Sequence, residues 1–170
     1  MFGVFSIFED GEIDSVIISE GRNSRYIKIA IRTLFDDRKI AVLQYGGKGT
    51  VVKLFSLLKE LYSKNALMTD KPILFVIDDD SDSADKEGES GNLKLIKLEK
   101  NEGSKFERGI ECSMSITFQK KCFSGLLQTQ QQEAKREAGR LFNTISYTRQ
   151  KNAVKPIKET IDQKAGQFFN

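Results

Sequence analysis

The sequence predicts an α/β fold, a Rossmann-like and mostly parallel sheet flanked by helices, with a β-hairpin insertion and C-terminal helices. Three observations predict it. Three apolar runs of strand length alternate with two helical patterns between residues 15 and 77. The apolarity of these runs is continuous, as in strands covered on both faces. A chain of 170 residues with 39% hydrophobic and 30% charged residues fits one globular domain, 1–170.

The first half of the chain carries the alternation. After a short apolar segment at 1–8, a possible edge strand, the β-branched run 15–19 ends at Glu20 and Gly21. Apolar residues then recur at helical spacing from 23 to 35. A second strand is predicted at 40–45. The later elements are the glycine loop 46–50, an amphipathic helix over 51–62, the strand 73–77, and the aspartates 78–80 that follow it.

The second half has a different pattern. Residues 81–92 are polar and predict a loop. Residues 93–98 and 110–118 predict a strand pair joined across 100–105, and helices are expected at about 124–146 and 154–168. The chain therefore divides into a core of alternating strands and helices at 14–85, a loop and strand-pair insertion at 86–120, and a helical part at 121–170.

The composition excludes several kinds of chemistry. The chain has no histidine, which excludes Ser-His-Asp and Cys-His catalysis and His-ligated zinc. Its two cysteines, Cys112 and Cys122, are too few for a disulfide scaffold and are interpreted as reduced thiols. No apolar run reaches the roughly 20 residues that a membrane helix needs, and the N-terminus does not resemble a secretory signal. We therefore expect a cytoplasmic protein without a membrane partner.

Polar groups follow all three predicted strands, where the carboxyl ends of parallel strands meet. Side chains alternate along an extended chain, so Asp78 and Asp80 point to one side and Asp79 to the other. Two such carboxylates predict a site for Mg²⁺ or Mn²⁺, which prefer hard oxygen ligands. Glu20, at the end of the first strand, is the candidate general acid or base.

The loop formed by Gly46, Gly47 and Lys48 precedes a helix. It lacks the spacing of a nucleotide P-loop, but its backbone N–H groups and the Lys48 side chain suit a phosphate.

Charge is distributed unevenly along the chain, although the formal net charge is only +3. Residues 70–90 are strongly acidic, whereas residues 121–170 are rich in Lys and Arg. An acidic site beside a basic segment is typical of a metal-dependent enzyme that acts on a polyanion, and solvated helices also produce such a pattern.

These segments together resemble the Toprim domain, the metal-binding fold of topoisomerases, bacterial primases and the OLD nucleases. Val16–Gly21 resembles the family's strand with its glutamate, Ile77–Asp80 its strand with the DxD motif, and Gln44–Lys48 the glycine loop of the OLD and stand-alone branches. The resemblance covers residues 14–85 and favours a small stand-alone type.

The resemblance implies a function for specific residues. Glu20 would be the general acid or base, and Asp78 and Asp80 would hold Mg²⁺ (or Mn²⁺) for nuclease-like phosphoryl transfer on DNA or RNA. The chain departs from the family in two places. Asn23, Ser24 and Arg25 stand where many relatives have an aspartate, and Ser81–Ser83 replaces the usual sequence after the DxD motif.

Two alternatives stay open. One interprets the chain as a catalytically degenerate Toprim-fold module that binds or regulates. Asp78 to Ser81 also fit the DxDx[ST] motif of a haloacid-dehalogenase-like phosphatase, with Asp78 as the nucleophile, although that motif normally follows the first strand of its domain.

Overall fold

The computed structural model describes residues 12–21, 23–35, 37–66, 69–79, 87–124, 126 and 131–169. The predicted strand at 1–8 lies outside these residues. Within them, the helices are too short or too polar to span a membrane.

The predicted α/β fold with a mostly parallel sheet is confirmed. The five described strands are β1 (Ser15–Ser19), β2 (Ile40–Gln44), β3 (Ile73–Asp78), β4 (Gly88–Ser90) and β5 (Leu93–Leu98). Their order in the sheet is β2-β1-β3-β5-β4. β1 pairs in parallel with both β2 and β3, β3 pairs in parallel with β5, and the short β4 is antiparallel to β5.

Six α-helices lie in the described residues. They are α1 (Ser24–Ile31), α2 (Lys48–Ser63), α3 (Ile116–Cys122), α4 (Gln131–Thr144), α5 (Tyr147–Ala153) and α6 (Lys155–Ala165). Two 3₁₀ turns, Ile110–Ser113 and Gly166–Phe169, complete the regular structure. The first two helices connect successive parallel strands, as the sequence pattern predicts.

The sheet separates two hydrophobic cores because its strands alternate their side chains between the two faces. One core joins the face that includes Ile17, Leu74 and Val76 to α1 and to the helices of the C-terminal part. The other joins the face that includes Phe75 and Ile77 to α2. β1 and β3 are fully buried, whereas β2 is partly exposed because it ends the described sheet.

The prediction of a strand at 110–118 is wrong. The segment forms the 3₁₀ turn Ile110–Ser113 and then begins α3, and the Ser115 hydroxyl caps this helix by accepting a hydrogen bond from Phe118 N at 3.4 Å. Alternating small and β-branched residues made the segment resemble a strand. The buried Gln119 decides the outcome, since its amide donates to the carbonyls of Cys112 and Met114.

The hairpin lies earlier in the chain than predicted. β4 falls within the segment that was expected to be a loop, and it turns through Gly91 and Asn92 into β5. The helix predicted at 154–168 is α6, which ends at Ala165, three residues earlier than predicted. A separate short helix, α5, precedes it. α4 is described only from Gln131 onward, within the predicted range 124–146.

Candidate metal centre

The candidate site lies where β1 and β3 end side by side. In the sheet, β2 lies on one side of β1, and β3 lies on its other side with β5 beyond it. In an open α/β sheet this is a topological switch point, and the crevice beyond the strand ends there is the usual place for a ligand. Glu20 directly follows β1, and Asp78 is the last residue of β3.

The carboxylate of Glu20 contacts the end of β3. Its Oε1 accepts a hydrogen bond of 2.7 Å from the backbone N–H of Asp78. The main-chain pairing of β1 with β3 ends at Ser19 and Val76, so the Glu20 side chain supplies an acceptor just beyond the ladder. Both residues are buried, with exposed fractions of 9% for Glu20 and 7% for Asp78. Two carboxylates so placed repel each other unless a cation neutralises them.

Asn23 holds the second carboxylate. It is the N-cap residue of α1, but its side chain makes no capping hydrogen bond. Instead, Asn23 Nδ2 donates to Asp78 Oδ1 at 3.0 Å. In the sequence, Asn23 is visible only as a departure from the Toprim pattern. The structure gives this residue a positioning role that its cap position alone did not reveal.

The glycine loop is joined to the loop after β1. Gly21 N donates to Gly46 O at 2.6 Å, and Tyr45 N donates to Ser19 O at 2.9 Å. Gly21 and Gly46 have φ angles of 49° and 54°, in the left-handed region that glycine adopts without strain. The two glycines therefore let both chains turn sharply at the same sheet edge. Gly47 caps α2, and Lys48 is the first residue of that helix. Phosphate binding by this loop stays a prediction.

The neighbouring aspartate faces the other side of the sheet. Asp79 Oδ1 lies 3.4 Å from Lys97 Nζ on β5, consistent with the predicted alternation. Asp80, the second predicted metal ligand, lies outside the described residues. The structure thus places Glu20 and Asp78 together and leaves the position of Asp80 untested.

The donor set fits a hard divalent cation. Mg²⁺ is usually held by one or two carboxylates, with water and substrate phosphates as further ligands. Glu20 and Asp78 supply two buried carboxylates, and a hydrogen bond that orients a carboxylate is compatible with its being a ligand. Within the part of the chain that the structure describes, no group of three or more acidic or thiol side chains is arranged to hold a metal.

Both thiols are buried, and neither is activated. Burial raises the pKa of Cys112 to about 11, with a further contribution from the negative charge of Asp78. Burial likewise raises the pKa of Cys122 to about 12. A thiolate is the reactive form, so neither cysteine is a nucleophile near neutral pH. The two are not joined in a disulfide.

A basic cleft adjoins the acidic pair. It has a volume of about 420 Å³, lies between the first turn of α1 and one face of α4, and is lined by Asn23, Arg25, Tyr26, Glu111, Lys135, Arg136, Gly139, Arg140 and Asn143. Asn23 belongs to both features because its side chain also contacts Asp78. The basic composition of the C-terminal part was the signal for these cations, but the part played by Arg25 was not visible in the sequence.

Comparison with protein-family models, with curated proteins and with solved structures gave no match. The function is therefore argued from the site itself.

Proposed function

We propose that this protein is a Mg²⁺- or Mn²⁺-dependent phosphoryl-transfer enzyme that acts on nucleic acid, most nearly a nuclease of the Toprim type. The observation that carries the proposal is the contact between the Glu20 carboxylate and the backbone of Asp78 at 2.7 Å. It unites two buried carboxylates at the switch point of a parallel sheet, where such sheets bind ligands. Burial costs each carboxylate its hydration and the two negative charges repel, so a cation bound here would stabilise both.

Each residue of the site would have a separate role in the reaction. Asp78 would hold the cation, with Asp80 as the second candidate ligand, and Glu20 would be the general acid or base. A bound Mg²⁺ supplies charge stabilisation for the phosphoryl oxygens. Glu20 would take a proton from the attacking water as the water oxygen bonds to phosphorus. The bond from phosphorus to the leaving oxygen breaks, and the proton then passes to that oxygen. Asn23 would keep the Asp78 carboxylate in one orientation.

The test replaces a carboxylate by an amide on either face of the sheet and measures cleavage of nucleic acid. We expect the wild-type protein to cleave or nick labelled DNA or RNA with Mg²⁺ or Mn²⁺ and not with EDTA. Asp78→Asn should abolish this activity, and Glu20→Gln should slow it by about 10²- to 10⁴-fold, as for the loss of a general acid or base. Asp79→Asn is the matched control, since Asp79 is paired with Lys97 on the opposite face. Full activity in Asp78→Asn would reject the proposal.

A second candidate is a binding or regulatory module that retains the fold and the metal. The same Glu20 contact favours it, because the carboxylate that would move a proton also satisfies a buried N–H group. Calorimetry separates the two candidates. Mg²⁺ or Mn²⁺ binding that Asp78→Asn removes, without turnover of any nucleic acid, would identify the module. A phospho-aspartate trapped with beryllium fluoride would instead support the phosphatase alternative.

We place the protein in the cytoplasm as part of this proposal. Two buried cysteines that are not joined to each other suit a reducing compartment.

A further inference from the structure

The cleft between α1 and α4 has an excess of positive charge. Four cationic residues line it, Arg25, Lys135, Arg136 and Arg140, against the single carboxylate of Glu111. Arg136 and Arg140 lie on the same side of α4, because residues four positions apart return to the same face of a helix, and Lys135 directly precedes Arg136. Cations gathered in a concave surface focus a positive potential and attract anions.

The cations are only partly neutralised by the protein. Arg140 forms a two-pronged pair with Glu137, from Nε to Oε2 at 2.8 Å and from Nη2 to Oε1 at 2.6 Å. Lys135 interacts electrostatically with Glu111, and Arg136 makes no salt bridge within the part of the chain that the structure describes. The cleft therefore retains charge that an anionic ligand would balance.

Arg25 closes the cleft from the side of α1. Its guanidinium lies over the Tyr26 ring, 4.4 Å from the centroid, and contacts the Tyr26 hydroxyl. The guanidinium lies directly against α4 at Gly139, where a Cβ would lie 2.8 Å from Arg25 Nη2. The Nε of Arg25 is buried without a hydrogen-bond partner. An unsatisfied buried donor is costly, so an oxyanion at this guanidinium would gain from supplying the acceptor.

The cleft is continuous with the acidic pair. Asn23 lines the cleft and donates to Asp78 at 3.0 Å, so an anion seated on α4 extends toward the candidate metal centre. From Lys135 to Arg140 the helix axis advances about 7.5 Å at 1.5 Å per residue, which is enough for about two phosphates of one strand, whose axial spacing in a duplex is roughly 3.4 Å. A single phosphate would not need cations spread over this length.

We propose that the cleft binds the phosphate backbone of a nucleic-acid strand and delivers it to Glu20 and Asp78. The inference deepens the proposed function and rests on it for the destination of the strand, but backbone binding itself needs no metal. Contacts of Lys and Arg with phosphates carry no sequence information, so the cleft binds strands without regard to base sequence.

The test measures the anisotropy of fluorescently labelled oligonucleotides, single-stranded and duplex, in EDTA over a range of salt concentrations. Lys135→Glu with Arg136→Glu should weaken binding roughly tenfold or more, because two phosphate contacts are lost. It should also reduce the slope of log K against log salt by about 1.4 for a single strand. The matched control is Lys53→Glu with Lys59→Glu, two exposed residues of α2 on the other face of the sheet. This control makes the same change in net charge.

Three results of the binding experiment would contradict strand binding by the cleft. A cleft variant that binds as tightly as the control variant would overturn it, and so would a wild-type protein that binds no oligonucleotide. A 5′-mononucleotide that binds as tightly as the oligonucleotide would reject the assignment to a strand. If the charge-reversed variant fails to fold by circular dichroism, Lys135→Gln with Arg136→Gln replaces it, with a smaller loss of affinity expected.

The design also distinguishes this inference from the proposed function. Binding in EDTA that the cleft variant loses, without Mg²⁺-dependent cleavage, would support the cleft and reject the enzyme. Mg²⁺-dependent cleavage by a cleft variant whose affinity for the strand is unchanged would support the enzyme and reject the cleft.

Discussion

The hydrogen bond between Glu20 and the Asp78 amide predicts a specific order of stability among Glu20 variants. Glu20→Ala and Glu20→Gln both remove the negative charge beside Asp78, so any relief of repulsion is common to them. They differ in that glutamine keeps a carbonyl oxygen for the amide, whereas alanine leaves the buried N–H without this acceptor. The difference between the two variants therefore contains this hydrogen bond together with the packing of the side chain.

The expected magnitude follows from the burial of the pair. Leaving a buried N–H unsatisfied costs about 1–3 kcal/mol, and a hydrogen bond to a charged group contributes about 1.5–3 kcal/mol. We expect Glu20→Ala to lower the free energy of unfolding by about 2–3 kcal/mol and Glu20→Gln by about 1 kcal/mol or less. At about 2–4 °C per kcal/mol for a chain of this size, the alanine variant should lose about 4–12 °C in Tm.

Urea unfolding followed by circular dichroism, with EDTA present, measures these differences. Glu20→Leu is the control for volume, since leucine fills the space without providing an acceptor. Leucine should resemble alanine in stability more than it resembles glutamine. If glutamine is as destabilising as alanine and leucine, the hydrogen bond does not stabilise the fold and the reasoning is refuted.

Three further predictions concern other parts of the molecule. Gly46→Ala should lower the free energy of unfolding by about 1–2 kcal/mol in a urea titration, because φ is 54° and the new Cβ would lie 3.0 Å from Thr50 Cβ. An unchanged midpoint would contradict this. Cys112 and Cys122 should react with a thiol reagent at pH 8 only after unfolding, since burial raises their pKa values to about 11 and 12; fast labelling of the native protein would be the contrary result. Burial raises the pKa of Glu111 above its ordinary value of 4.5, so the native state binds the proton more tightly than the unfolded chain. Stability should therefore fall as pH rises from about 4.5 through the raised pKa, and Glu111→Gln should lack that part of the decline. If the stability of the wild type and of Glu111→Gln changed with pH in the same way, Glu111 would not contribute to the pH dependence.

Much of the fold could be predicted from the sequence because its first half is locally consistent. The run Ser15–Ser19 is rich in β-branched residues and is followed by Glu20 and Gly21, and residues 73–77 are all apolar. Such patterns specify strands without help from distant residues, since burial on both faces demands continuous apolarity. Two of the candidate site residues, Glu20 and Asp78, followed directly from the positions at which these strands end.

Other features depended on contacts that no local pattern contains. Residues 110–118 have the composition of a strand, yet they form a 3₁₀ turn and a helix because the buried amide of Gln119 satisfies carbonyls earlier in the chain. The choice of Asn23 between capping α1 and contacting Asp78 was likewise made by a residue 55 positions away. A long-range partner can outweigh intrinsic propensity, since propensity differences are below about 1 kcal/mol per residue for most side chains.

The sequence by itself determined the alternation of strands and helices, the carboxylates at two strand ends, and the basic character of the C-terminal part. Only the tertiary structure decided that β1 and β3 are neighbours, that Glu20 accepts from the Asp78 amide, and that Arg25 faces Lys135 and Arg136 across a cleft. The physical reason is the distance along the chain over which each interaction acts. Burial and turn preferences act between residues close in sequence, whereas a site is assembled from side chains that the packing of sheet and helices brings together.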